Sequence, residues 1–334
     1  MKTNAFSAAL ALALASAMAS NIAIAQTPAE IVEAAPASAW REIASDDLVI
    51  MTLAPDAAGQ PREVAIQLFP EPWSSAWTAN VRALAKAHWW DGMTVYRSVD
   101  NWVVQWGEGD VAEPKALPAA MRATAPEGYA LPWRTGLVAT LWSVDGRRAA
   151  EMPAKVKTAP GSRFADPYAA AFGYVNGLPV ASDLETRNGL SAPGRIWPVH
   201  CYASVGVARG LTPDAGNGAE LYTVIGHAPR QLDRNIAVVG RIVAGIEHLS
   251  ILPRGTAEAG VNATAAERTP IASVRLASEL PEAERPRFRV LDTDGDTFAR
   301  WVEAKANRKD TFYSVPAGGA DVCNLPVPVQ PVRD

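Results

Sequence analysis

Cysteine and histidine are scarce in this chain of 334 residues, with 2 and 4 copies, and no excess of charge of either sign is present, 31 Lys and Arg standing against 35 Asp and Glu. That balance leaves no basic stripe for neutralising phosphates, which argues against nucleic acid as a partner. His88, His200, His227 and His248 are scattered without the spacing of a metal-ligand set. Gly-x-Ser-x-Gly elbows, Walker loops and dinucleotide fingerprints are missing as well, so the commonest hydrolase and nucleotide signatures are out. After residue 25 no apolar run approaches a membrane-spanning length. What is there is a hydrophobic fraction of 49%, enough for a real core and too much for a disordered tail.

The first 25 residues read as targeting rather than fold. Lys2 supplies a minimal positive region, Ala5 to Ala19 is an Ala/Leu run too short to span a bilayer, and Ala23-Ile24-Ala25 before Gln26 is a small-x-small cleavage site. This predicts a signal peptide cut after Ala25 and a periplasmic or secreted protein, with no Cys beside the cut to carry a lipid. In an oxidising compartment Cys201 and Cys323 form a possible disulfide if the fold brings them together; spacing alone leaves a bridge and two separate buried thiols both open.

Gln26 to Ala39 is Ala/Pro-rich and reads as a mobile leader. Leu48–Leu53 and Glu63–Phe69 have strand character, the second with Val64, Ile66 and Leu68 on one face, and Pro55–Pro61 connects them. Trp73–His88 switches to helical period, with Trp77, Val81, Leu84 and His88 on one face and a Ser74/Ser75 start. After the Asp91-Gly92 turn come strands at Thr94–Val99 and Trp102–Gly107. In Glu108–Ala203 Pro and Gly recur throughout, so only Gly136–Val144, closed by Asp145-Gly146, reads as a strand. Short apolar stretches follow at Ala203–Ala208, Glu220–Ile225 and Ile236–Ile242, then a short helix at Glu247–Leu252. Arg254–Asp334 reads as an appendage with a strand at Ile271–Leu276 and a helix at Thr297–Lys305. The expected division is a signal peptide (1–25), a leader (26–47), a body (48–253) with a loop-rich insertion at about 108–203, and a C-terminal extension (254–334) packed on the body.

Several blocks then match in order. Ala65-Ile66-Gln67-Leu68-Phe69-Pro70-Glu71, the helix with Asn80-Val81-Arg82-Ala83-Leu84, Trp90-Asp91-Gly92-Met93-Thr94-Val95-Tyr96-Arg97 and Trp102-Val103-Val104-Gln105-Trp106-Gly107 resemble the N-terminal half of the cyclophilin-type peptidyl-prolyl isomerases. After the insertion, Asn217-Gly218-Ala219-Glu220-Leu221-Tyr222, Leu232-Asp233 and Val238-Val239-Gly240-Arg241-Ile242-Val243-Ala244-Gly245 resemble the rest. The resemblance implies a mainly β fold: a closed antiparallel cyclophilin-like barrel with two capping helices, a loop-rich insertion and a C-terminal appendage. It implies an isomerase acting on X-Pro bonds of proline-containing polypeptides, in a groove on the barrel's outer face, without metal, cofactor or covalent intermediate. The family's catalytic arginine falls on Arg97 and its glutamine on Gln105. Its substrate-binding positions fall on Trp102, Val103 (where a methionine is usual), Ala208, Glu220, Tyr222 and Leu232.

These residue types suit the chemistry. Amide rotation meets a barrier of ~18–20 kcal/mol because of resonance, and X-Pro bonds populate both isomers. A guanidinium hydrogen-bonded to the prolyl nitrogen stabilises only the twisted state in which that lone pair is released. Departures from the family pattern are Glu220 for a glutamine, Gln231 for a tryptophan, Ile236 for a histidine, and Val95-Tyr96 for Phe-His. A Glu220–Arg97 ion pair would compete with the donor role, and Glu220, Gln231 and Ile236 together keep a non-catalytic proline-peptide-binding or chaperone module as the alternative. Asp292-Thr293-Asp294-Gly295-Asp296 with Glu303 imitates a calcium loop, but Thr297 stands where the loop needs glycine, so Asp294 or Asp296 is expected to cap a helix instead. Client proteins and oligomeric state leave no trace in the sequence.

Overall fold

The structure, a computed structural model, describes residues 26–109, 113–134, 136–137, 141–143, 156–158, 166, 168–187 and 190–333. The expected signal peptide and the Asp145-Gly146 turn lie outside the described residues. Among those described, no helix is long and apolar enough to cross a membrane.

The stretch expected to be a mobile leader is ordered. Thr27 and Glu30 form a reciprocal capping box that starts α1 (Pro28–Glu33), with Pro28 at its first position, and Ile31 is buried. The chain continues into β1 (Trp40–Glu42), β2 (Leu48–Leu53) and β3 (Arg62–Leu68). The near-continuous apolar run of β2 follows from burial on both faces. Val49, Met51 and Leu53 point into a closed barrel, while Leu48 and Ile50 join a second core outside it.

The helix predicted over 73–88 is α2 (Ser75–Lys86), its Trp77, Val81 and Leu84 packed against the barrel interior. Ser74 at its start does not cap it; the hydroxyl donates instead to the Val238 carbonyl at 2.7 Å. Next come β4 (Thr94–Ser98) and β5 (Val103–Gly107), followed by an insertion with much more structure than expected. It contains β6 (Leu131–Pro132), β7 (Leu141–Ser143), β8 (Val156–Thr158), β9 (Ala171–Val175), β10 (Leu178–Arg187) and β11 (Leu190–Pro198), joined in one sheet in the order β6-β11-β10-β9-β7-β8. Of the strand expected at 136–144, the described residues show Gly136 and Leu137 outside any strand and Leu141–Ser143 in β7, and the main body of the sheet is the β9-β10-β11 meander. Asn176 and Gly177, both at positive φ, make the tight β9–β10 hairpin. Pro193 and Gly194 sit where the β10–β11 register shifts, so residues that read as breakers occupy a bulge.

The chain then supplies β12 (Ser204–Val207), β13 (Leu221–Val224), β14 (Val238–Ala244), the four-residue α3 (Glu247–Ser250) and β15 (Thr269–Leu276). The closed barrel runs β12-β13-β5-β4-β15-β2-β3-β14. The fold is therefore mainly β with an eight-stranded antiparallel barrel, but the expected boundary at 253 stops one strand short. β15 closes the gap between β4 and β2, burying Ile271, Val274 and Leu276 in the barrel core.

Beyond it, β16 (Phe288–Leu291), α4 (Asp296–Ala306) and β17 (Val329–Pro331) complete the chain, with β1-β16-β17 forming a small sheet. Neither Asp294 nor Asp296 caps α4. Gly295 holds the cap position without a side-chain bond, and Asp292 and Asp294 pair with Arg41 at 2.8 and 3.6 Å. The second core gathers Ile31 and Trp40 of the leader, Phe172 and Trp197 of the insertion, and Phe298 and Trp301 of α4 over the outer face of β2 and β3. Cys201 and Cys323 are joined in a disulfide, Cα to Cα 5.1 Å, which ties this C-terminal segment to the β11–β12 connection.

Candidate functional site

Register decides which side chains share the barrel's outer face. Along β5, Val104 and Trp106 point into the core while Val103 and Gln105 point outward; along β13, Leu221 points in and Tyr222 and Val224 point out. Strict alternation on β4 would turn Arg97 inward after Val95. A bulge prevents this: Val95 pairs with Trp106 and Arg97 with Gln105, leaving Tyr96 as the extra residue. A single rung across the sheet thus carries Gly206, Tyr222, Gln105 and Arg97.

Arg97 is half-buried and held at two points. Its Nε donates to the Ala259 carbonyl at 2.7 Å and its Nη1 to Gln105 Oε1 at 3.0 Å. A guanidinium carries five N–H donors, so three remain without a protein acceptor among the described residues. Beside this cation lies an apolar cluster of Val103, Tyr222 and Val224, with Trp102, Ala208 and Ile236 packed on it. Trp102 reaches the cluster from just before β5, after Asn101 turns the chain at φ +49°.

Two expected groove residues lie elsewhere. Leu232, half-buried at the end of the Arg230–Leu232 turn, is outside the cluster, and Ile236 belongs to it instead. Glu220 does not pair with Arg97. One of its oxygens accepts the Tyr96 hydroxyl at 2.7 Å and the other accepts the backbone N–H groups of Glu108 and Gly109 at 2.7 and 3.1 Å. Tyr96 also accepts from Gln105 Nε2. Burial raises the Glu220 carboxyl above the usual carboxylate range, against the lowering effect of the Tyr96 and backbone hydrogen bonds. Burial, followed by the neighbouring Glu220 charge, pushes the Tyr96 phenol far up, so it keeps its proton.

Under the cluster the Tyr222 hydroxyl meets His200 Nε2 at 2.9 Å, and His200 Nδ1 meets Asp233 Oδ1 at 2.9 Å. Arg230 bridges Asp233 and Asp166 at 2.7 and 2.9 Å, which links the insertion to the base of this cluster. The sequence gives His200 no metal-ligand spacing, and its partners, 22 and 33 positions away, meet it only in the fold. Gly206 was equally silent: a Cβ there would lie 2.3 Å from Tyr222 Cζ, so only glycine lets the ring lie across β12.

The family model for cyclophilin type peptidyl-prolyl cis-trans isomerase/CLD matches residues 58–276, well over half of the chain. The chain belongs to the cyclophilin family. Its matched region ends on the last residue of β15, consistent with that strand's place in the cyclophilin barrel. Cyclophilin AquaCyp293 from Hirschia baltica is similar in structure with a TM-score of 0.57 at 18% identity, over 88% of this chain and 95% of that one. A Cryptosporidium parvum cyclophilin type peptidyl-prolyl cis-trans isomerase, also solved in the presence of the dipeptide Ala-Pro, aligns at 13% identity over 69% of this chain and 97% of that one, TM-score 0.33. No curated protein sequence matches the chain.

Proposed function

We propose that this cyclophilin accelerates cis-trans rotation about X-Pro bonds, with Arg97 as the donor to the prolyl nitrogen. The observation that carries the reading is the outward rung of Tyr222, Gln105 and Arg97, which sets a held guanidinium with unused donors beside an apolar cluster. The proline ring rests against Trp102, Val103, Ala208 and Tyr222, where apolar contact binds both isomers alike. Arg97 discriminates between ground and twisted states, since the prolyl nitrogen becomes an acceptor only as conjugation breaks. Gln105 and the Ala259 carbonyl hold the fork in place, so that little reorganisation accompanies the reaction. Because Glu220 is engaged with Tyr96 and backbone N–H groups, the competing ion pair that favoured a non-catalytic module does not arise.

The substrates are exported polypeptides. The residue pattern of 1–25 supports this, as does the disulfide, which suits an oxidising compartment. The test is a protease-independent isomerisation assay comparing wild type with Arg97→Ala. Loss of acceleration with a retained melting temperature supports the role, and equal rates refute it.

A further inference from the structure

Resting on the reading of Arg97 as the donor, we infer that Tyr96 and Glu220 are positioning residues that lock the Gln105 amide with its oxygen toward the guanidinium. The argument is one of hydrogen-bond polarity. An ionised carboxylate only accepts. Glu220 Oε1 takes the N–H groups of Glu108 and Gly109, and Oε2 takes the single proton of the Tyr96 hydroxyl. With its proton committed there, Tyr96 can only accept on the side facing Gln105. Gln105 therefore presents Nε2 to Tyr96, and Oε1 lands 3.0 Å from Arg97 Nη1. The reversed amide would set donor against donor at Arg97 and acceptor against a spent hydroxyl at Tyr96, leaving part-buried polar groups unpaired.

The local backbone is built for this chain. The bulge at Tyr96 lets two successive residues of β4 reach the one Gln105 side chain. Gly107 leaves room for Glu220, because a Cβ there would stand 2.3–2.5 Å from the carboxylate atoms. The polarity of the whole run, from two backbone N–H groups to the guanidinium, is thereby set at its far end by Glu220.

The decisive variant is Glu220→Gln. Its oxygen stays on the two backbone N–H groups, so its Nε2 donates to Tyr96. The Tyr96 proton then turns to Gln105, whose amide flips and faces Arg97 with Nε2. We expect kcat to fall about tenfold with KM nearly unchanged, the equivalent of one well-aimed hydrogen bond in the transition state. In NMR spectra the Gln105 Nε2 protons should lose their contacts to the Tyr96 ring and gain contacts to the Arg97 side chain. Tyr96→Phe, which keeps the ring, should lower kcat by a similar factor, and the double variant should fall no further than either single one. Unchanged Gln105 contacts in folded Glu220→Gln, or a wild-type kcat in folded Tyr96→Phe, overturns the inference. Failure of Arg97 itself reads out separately, as Arg97→Ala with full activity while the Gln105 contacts still behave as stated.

Discussion

Replacing Gly206 by alanine tests the packing under the apolar cluster of Val103, Tyr222 and Val224. Gly206 pairs directly with Tyr222 and its φ lies outside the left-handed region, so the backbone accepts alanine and the consequence is purely steric. The added Cβ would meet Tyr222 Cζ at 2.3 Å, the hydroxyl oxygen at 2.4 Å and Cε1 at 2.8 Å, where ordinary contact begins near 3.4 Å. A ring cannot bend away, so it must translate, and that movement breaks the 2.9 Å bond to the fully buried His200. Overpacking of this kind costs about 1–3 kcal/mol, and the unpaired buried nitrogen about 1–3 kcal/mol more. Reduced freedom of the unfolded chain returns roughly 0.4–1 kcal/mol, so the net loss should be about 1–6 kcal/mol. Urea unfolding measures it, and the isomerase KM should rise because the base of the cluster moves. In a Tyr222→Leu background the same substitution should cost little, which a double-mutant cycle isolates. A loss under about 0.5 kcal/mol with wild-type KM would refute the account of that base.

Three further outcomes follow from the geometry. Replacing Cys201 and Cys323 together by serine releases a link of sequence separation 122 and should destabilise the fold by about 4–5 kcal/mol on loop entropy, checked by urea unfolding of both forms. Glu220 has its folded-state pKa raised, chiefly by burial, so its ionised form opposes folding; wild type should gain stability relative to Glu220→Gln as pH falls from neutrality toward the ordinary carboxylate range, while its kcat declines. Arg97→Lys keeps the charge but loses the planar fork that holds Ala259 and Gln105 together, so kcat should drop about tenfold or more at similar KM in the isomerisation assay.

The barrel was legible where strand period and block order agreed. β3, β4, β5, β13 and β14 follow the segments read from alternation, and most of the residues assigned to the groove by resemblance meet on one outer face. Arg97 shows the limit of period reasoning, since only a bulge that no pattern announces turns it outward. The recurring Pro and Gly of the insertion hide its sheet, since Pro179, Pro193 and Gly194 lie within strands, although Asn176-Gly177 between two apolar runs is a strong hairpin signal. β15 follows the short helix that closes the expected body and so reads as part of the appendage; its pairing with β2 and β4, far away in sequence, exists only in the fold. The polar chains behind the site, Tyr96–Glu220 and Tyr222–His200–Asp233, join strands and turns distant in sequence and exist only in the folded register.

Exchange NMR on a short X-Pro peptide with a trace of the protein tests the central claim most directly. The account predicts that cis and trans signals exchange measurably with wild type and that the exchange vanishes with Arg97→Ala, although both proteins still shift the peptide resonances. Shifts without exchange for folded wild type, or equal exchange for the two proteins, would contradict it.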